Sequence, residues 1–143
     1  MNELIDSLDE FTWENYTDIS DALVRFTEYG VEDEMFRQAS IYSYYYGLMS
    51  LAKRRVGETS VQLTRFMSKL RKEAKRDSRV KLTAKDLDDL VFANDQYLAR
   101  QNAVDDATFK YEMLKGLVRA LEQKKDMLQQ VSANKREETK LYK

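Results

Sequence analysis

Residues 34–79 decide the fold, and they read EMFRQASIYSYYYGLMSLAKRRVGETSVQLTRFMSKLRKEAKRDSR. Apolar or small side chains recur here at alternating steps of four and three residues, with Lys53 in one of the slots. This heptad spacing predicts one long helix that packs along one side. The predicted seam is formed by Met35, Ala39, Tyr42, Tyr46, Met49, Val56, Ser60, Leu63, Met67, Leu70 and Ala74.

A second apolar row lies beside the seam in the N-terminal half of this helix. It consists of Ile41, Tyr45, Leu48 and Ala52. Because this half is apolar around most of its circumference, we expect it to be buried among several helices or subunits.

The C-terminal half of the same helix carries a row of cations, which we call the basic ridge: Arg65, Lys69, Lys72, Arg76 and Arg79. The first four each follow a seam residue by two positions, or about 200° around a helix of 3.6 residues per turn. The ridge should therefore point away from the packed side. At about 1.5 Å per residue it would be roughly 21 Å long, which spans several phosphates of a nucleic-acid strand.

Composition favours an all-α protein, because the chain has no proline, only four glycines and 34% charged residues. A length of 143 residues favours a single domain.

The sequence divides into three segments by charge. Residues 1–34 form an acidic segment with 11 acids and one base. Residues 35–82 form the basic long helix, and residues 83–143 contribute a connector helix and a C-terminal long helix. Since a long rod leaves little chain for a core, we expect a homo-oligomer to supply part of it.

The remaining elements follow from local signals. Short helices are expected before Gly30, the second starting between Asp18 and Asp21. Thr83 and Asp86 form a capping-box pattern that should start the connector helix. A last helix with a heptad seam is expected from about Tyr97 to Asn134, and it matches the first rod in length. The two rods predict a long antiparallel helical hairpin.

The side-chain inventory argues against catalysis. The chain has no cysteine and no histidine, which removes thiolate nucleophiles and imidazole acid/base chemistry. Asp86, Asp88 and Asp89 point in different directions on a helix and do not predict a metal site. We therefore expect no enzyme activity, no cofactor and no metal. Neither a signal peptide nor an apolar run of 18 residues is evident, so we expect a cytoplasmic protein without membrane contact.

The basic ridge has three possible roles: binding a polyanion, pairing with the acidic segment of another subunit, or serving as solvated surface. Its stretch contains only Glu73 and Asp77 as local acids, so neutralisation is incomplete. Lys53, Arg54 and Arg55 extend the cationic zone toward Tyr44. Cations beside an aromatic ring are what single-stranded nucleic acid uses, because phosphates bind the cations and bases stack on the ring. Core packing is the expectation for Tyr42, Tyr45 and Tyr46.

The layout resembles the UvsY-type recombination mediators of tailed phages. The similarity lies in the acidic N-terminal part, the tyrosine-rich YSYYY of residues 42–46 leading into KRR at 53–55, and a long C-terminal helix with LEQKKDML at 121–128 and KRE at 135–137. This resemblance implies a ring-forming oligomer that binds single-stranded DNA. It also implies a role in loading a recombinase while a single-strand binding protein is displaced, in the host cytoplasm if the protein is phage-encoded.

Two hypotheses follow. The first is a non-enzymatic, single-stranded DNA-binding accessory factor of phage recombination or replication. The alternative is a protein-only helical adaptor or assembly factor whose basic rod docks an acidic partner. The two differ in the salt dependence of binding to oligonucleotides, because phosphate binding releases counterions.

Overall fold

The computed structural model describes residues 2–142, and all of their regular structure is helical. The predicted all-α class is therefore confirmed. The elements are α1 (Asn2–Glu10), α2 (Trp13–Val24), a 3₁₀ turn (Glu28–Gly30), α3 (Val31–Asp77), α4 (Ala84–Phe92) and α5 (Asp95–Leu141).

Two of the predicted helix boundaries are confirmed. The lapse of the heptad pattern and the polar residues at 77–81 predict the end of the long helix there, and α3 ends at Asp77. Helix α4 begins with the predicted capping box, in which Thr83 Oγ1 accepts from the Asp86 N–H at 3.1 Å and Asp86 Oδ2 accepts from the Thr83 N–H at 3.0 Å. The hydrogen bond from the Thr83 N–H favours the charged carboxylate and is the main cause of the lowered pKa of Asp86. Helix α5 continues to Leu141, beyond the Asn134 end that the seam predicted.

The N-terminal helices differ from the expectation, because α2 begins at Trp13 and not between Asp18 and Asp21. The side chain of Asn15 explains this start. Its Oδ1 accepts from the Thr12 N–H at 2.9 Å, and its Nδ2 donates to the Glu10 carbonyl at 2.8 Å. One amide therefore joins the end of α1 to the start of α2.

The chain divides into two compact units. Unit 1 comprises Met1–Leu51 and Lys110–Lys143, and unit 2 comprises Ala52–Phe109. Both long helices contribute residues to each unit, so each unit has helix-to-helix contacts of its own.

Unit 1 has a core formed mainly by α5. Its buried apolar side chains include Leu8, Phe11, Val31, Leu48, Leu114, Leu117, Leu121 and Leu128. From α3 the core takes the row that contains Leu48, whereas the predicted seam residues Met35 and Tyr46 are exposed. The predicted seam is therefore wrong in this half of the helix, and the second apolar row supplies the buried side.

Hydrogen bonds explain which side of α3 is buried in unit 1. Gln38 is only 7% exposed, and its Nε2 donates to the Leu121 carbonyl at 2.7 Å. Glu34 accepts from the Lys124 ammonium at 2.6 Å. Because both polar side chains have their partners on α5, the face of α3 that carries them turns inward.

Three lysines of α5 hold the N-terminal elements of unit 1 through backbone carbonyls. Lys110 donates to the Leu8 carbonyl at 2.7 Å, in the last turn of α1. Lys124 donates to the Leu23 carbonyl at 2.5 Å, in the last turn of α2. Lys135 donates to the carbonyl of Glu28, in the 3₁₀ turn. Cations near the carbonyl end of a helix also stabilise its dipole.

The spacing of these lysines places them on one side of α5. They are separated by 14 and 11 residues, which is roughly four and three turns of a helix with 3.6 residues per turn. One face of α5 therefore fastens successive parts of the acidic N-terminal segment.

Unit 2 has a smaller core. Among the described residues of this unit, the buried apolar side chains are Ala52, Leu87, Val91 and Ala107. Two polar contacts join its helices: Arg71 of α3 pairs with Asp88 of α4 at 2.8 Å, and the Arg100 guanidinium of α5 lies 4.6 Å from the ring centre of Phe66.

Replacing Lys124 should destabilise unit 1 strongly. Lys124 is 2% exposed, and removing one partner of a buried ion pair costs about 3–5 kcal/mol. Here the partly buried Glu34 would lose its counterion, and the Leu23 carbonyl would lose its donor. We expect Lys124→Ala to lower the free energy of unfolding in urea by that amount. The neighbouring exposed Lys125→Ala should change it by less than about 0.5 kcal/mol. Equal stability of the two variants would contradict this role.

Candidate nucleic-acid interface

The basic ridge lies in unit 2, and all five of its residues are exposed. Arg65, Lys69, Lys72 and Arg76 lie on α3, whereas Arg79 follows the last helical residue, Asp77. The helical register assumed for Arg79 is therefore wrong. From Arg65 to Arg76 the helix rises by 11 steps of about 1.5 Å, or roughly 16 Å.

The packing of unit 2 accounts for the outward direction of the ridge. On the other side of the same stretch of α3, the predicted seam residues Leu63, Met67, Leu70 and Ala74 are each partly buried. Phe66 and Arg71, which make the contacts to α5 and α4, are partly buried as well. Apolar and partnered side chains thus occupy the packed side, and the long cationic side chains are left in solvent.

The charge on the ridge is only partly compensated. Arg76 pairs with Asp77 at 3.1 Å, with both side chains mostly exposed. The hydrogen bond and charge of Asp77 raise the pKa of Arg76. Within the described residues, no ion pair joins Arg65, Lys69 or Lys72 to a carboxylate. Three adjacent cations therefore remain available to an anion from solution.

A shallow surface depression runs along the helical part of the ridge. Its lining consists of Arg65, Ser68, Lys69, Lys72, Glu73 and Arg76. The depression thus contains four cations, one hydroxyl and one carboxylate. A phosphate here would meet several charged donors, which give stronger hydrogen bonds than neutral ones.

The three bases at 53–55, which belong to unit 2, differ in exposure and in pairing. Lys53 and Arg54 are exposed, but Arg54 already pairs with Glu58 at 3.1 Å, one turn further along. Arg55 is partly buried and engaged in a contact of its own. Of the three, Lys53 is the residue most open to an anion.

Tyr44 belongs to unit 1, where its side chain is 42% exposed. Its ring meets that of Tyr45 edge to face at 5.0 Å. Edge-to-face packing is a favourable aromatic geometry, so Tyr45 helps to hold the ring of Tyr44 at the surface.

The core packing expected for the other tyrosines is only partly correct. Tyr45 is partly buried, and its burial raises the pKa of the phenol. Tyr42 donates to Glu122 at 2.8 Å, and this bond is the main cause of the raised pKa of Tyr42. Tyr46 is 49% exposed and lies 5.9 Å from Tyr42, ring centre to ring centre. Tyr46 is thus a surface residue of this chain.

A groove in unit 1 was not foreseen from the sequence. It is lined by Met35, Gln38, Ala39, Tyr42, Glu122, Lys125, Asp126, Leu128 and Gln129. The Gln38 Oε1 atom is buried and has no hydrogen-bond partner within the described part of the chain. A buried unpaired acceptor costs about 1–3 kcal/mol.

Residues 2–142 include no helix with the length and apolarity required to cross a membrane. In the same residues, no three potential carboxylate, thiol or imidazole ligands cluster in a way that could hold a metal ion. Of the three aspartates at 86, 88 and 89, Asp86 caps α4 and Asp88 pairs with Arg71.

Comparison of the chain with protein-family models, with curated proteins and with solved structures found no match.

A substitution of Arg71 should remove the ion pair that joins α3 to α4, and it should leave the cations of the basic ridge in place. The Arg71–Asp88 pair is partly exposed, and such pairs contribute about 1 kcal/mol or less. We expect Arg71→Ala to lower the free energy of unfolding by up to about 1 kcal/mol, measured in urea. Lys75→Ala, at an exposed position without a described pair, is the matched control and should leave it nearly unchanged.

Proposed function

We propose that this protein is a non-enzymatic, single-stranded DNA-binding accessory factor of recombination or replication, and that the basic ridge on unit 2 holds the phosphates. The observation that carries this proposal is the exposed row of cations in which Arg65, Lys69 and Lys72 have no carboxylate partner within the described residues. A rigid helix keeps the row straight, as required to follow a polymer of regularly spaced charges.

The dimensions support a strand as the ligand. The helical part of the ridge, roughly 16 Å long, covers about five phosphate spacings at ~3.4 Å each. Four cations would thus lie along about five phosphate spacings. Because phosphate contacts carry no direct sequence information, such binding would be largely independent of the base sequence.

The resemblance to UvsY-type mediators extends the proposal to protein partners. It implies a homo-oligomer that loads a recombinase while a single-strand binding protein leaves the DNA. An antiparallel hairpin of α3 and α5 is part of this proposal. Contacts in unit 1 support it, because Glu34 meets Lys124 whereas the later Gln38 meets the earlier Leu121.

The triple variant Lys69→Ala, Lys72→Ala, Arg76→Ala tests the ridge. Each phosphate that the variant no longer holds should flatten the plot of log affinity against log salt by about 0.7 for a single strand, so the slope should change by about 2. Binding should weaken about equally for all sequences, measured by fluorescence anisotropy with labelled oligonucleotides. Helix content should persist, since alanine is the best helix former.

A control with the same change in net charge separates local binding from the overall charge of the protein. The variant Lys125→Ala, Arg136→Ala, Lys140→Ala removes three exposed cations from unit 1. It should keep nearly the wild-type slope. If the ridge variant binds with wild-type affinity and slope, the DNA proposal is wrong and the ridge becomes a docking surface for an acidic protein partner.

Tyr44 has a separate test, because stacking and phosphate binding respond differently to salt. If the exposed ring stacks on a base, Tyr44→Ala should weaken binding by about 1–3 kcal/mol. The salt slope should stay the same, since no charge is removed. Tyr44→Phe keeps the stacking surface and should bind like the wild type. Equally weak binding by both variants would indicate that the ring is not a stacking platform.

A further inference from the structure

An arginine of unit 2 is stacked on an aromatic ring. The guanidinium carbon of Arg100, on α5, lies over the ring of Phe66, on α3, at 4.6 Å from the ring centre. Phe66 is partly buried, whereas Arg100 is exposed. The ring thus covers one side of the guanidinium, and the exposed arginine presents its other side to solvent. Both residues belong to unit 2.

The position of Phe66 adjoins the basic ridge. Phe66 follows Arg65 by one residue and precedes Lys69 by three. On a helix with 3.6 residues per turn, Lys69 lies about 60° around the axis from Phe66 and nearly one turn along it. Side chains three residues apart are neighbours on a helix surface, with about 5–6 Å between their Cβ atoms. Arg100 therefore lies on the α5 side of the ridge, next to the position where Lys69 would hold a phosphate.

The surroundings of Arg100 contain more bases than acids. Residues 59–72 of α3 include four bases and no acid, and residues 96–104 of α5 include no acid. Glu73 follows on α3 and lines the ridge depression, and Asp88 of α4 is already paired with an arginine of α3. Arg100 makes no ion pair within the part of the chain that the structure describes. Because uncompensated cations repel one another and destabilise the folded state, a bound polyanion would stabilise this part of unit 2.

The stacked guanidinium offers a ligand more than a charge. A guanidinium is planar, less strongly hydrated than an ammonium group, and able to stack on aromatic faces. Proteins that bind single strands hold unstacked bases on aromatic rings or on the guanidinium planes of arginines. Because the Phe66 ring already holds one face of the Arg100 guanidinium, little rotamer freedom is left to lose when a base covers the other face. A base at this position would continue a stack that already contains the ring and the guanidinium.

We propose that Arg100, on the ring of Phe66, is a stacking platform for a base of the single strand whose phosphates lie along the basic ridge. The inference rests on the proposed function and specifies its ligand, because only a strand with unpaired bases can place one on the platform. In a duplex the bases are paired and stacked on each other. The ridge and the platform both lie in unit 2, whereas Tyr44 belongs to unit 1. Unit 2 thus contains groups for both the phosphate and the base of a nucleotide.

Arg100→Lys tests the platform, because it keeps the positive charge and removes the plane. In fluorescence anisotropy with the full chain, we expect this variant to bind a labelled single strand at least about fivefold more weakly, the lower end of the range for base stacking. The salt slope and the affinity for duplex should stay at the wild-type values, since no charge is lost. Arg71→Lys is the matched control. It makes the same replacement in unit 2 at an arginine that pairs with Asp88, and it should bind like the wild type.

A strand of equal length without bases identifies what Arg100 contacts. This abasic strand keeps its phosphates, so it should bind to the ridge with the same salt slope as the ordinary strand. The wild type and Arg100→Lys should bind it with equal affinity, because neither can stack a base. The loss caused by Arg100→Lys should therefore appear only with the ordinary strand. Circular dichroism should be the same for both proteins, since lysine and arginine have similar helix propensities.

Two results would overturn the platform: wild-type affinity of Arg100→Lys for the ordinary strand, or an equal loss of affinity for both strands. The second result would place Arg100 on a phosphate and not under a base. In either case the triple variant of the ridge would still bind more weakly than the wild type, and the DNA proposal would stand. If the wild type binds neither strand, the DNA proposal and the platform are both wrong.

Discussion

The buried ammonium of Lys124 is the interaction on which unit 1 depends. Burying a charge away from water costs several kcal/mol unless hydrogen bonds and an opposite charge compensate. Lys124 obtains both, from the Leu23 carbonyl and from Glu34. One side chain of α5 thus joins the end of α2 to the first turn of α3. Three helices of unit 1 are thus linked at one buried atom.

Helix positions could be predicted from the sequence, but the buried face of α3 could not. The heptad spacing identified the long helix, and the Thr83 and Asp86 pattern identified the start of α4. The spacing alone favoured the seam that contains Met35 and Tyr46. The structure buries the face with Glu34 and Gln38, because their partners come from α5, more than 80 residues further along the chain. No local pattern reports a partner at that distance.

For the candidate site, the sequence predicted which side chains are exposed, but it did not predict where the row of cations on the helix ends. A residue two positions after an apolar seam residue faces away from the core of a straight helix, and the four ridge residues on α3 follow this rule. Arg79 does not belong to the row, since the helix ends first. The burial of Lys124 could not be predicted from the spacing, because the steps of four and three between Leu121 and Leu128 place Lys125 in the α5 seam, and Lys125 is exposed.

Lys110, Lys124 and Lys135 of α5 each donate to a backbone carbonyl of the acidic N-terminal segment, and Lys124 also donates to the Glu34 carboxylate. A carbonyl does not titrate, so these links survive acid conditions that would protonate carboxylates and abolish ordinary ion pairs. A carbonyl is also present whatever the side chain. A substitution at Glu28, for example, would therefore leave the acceptor atom of Lys135 in place.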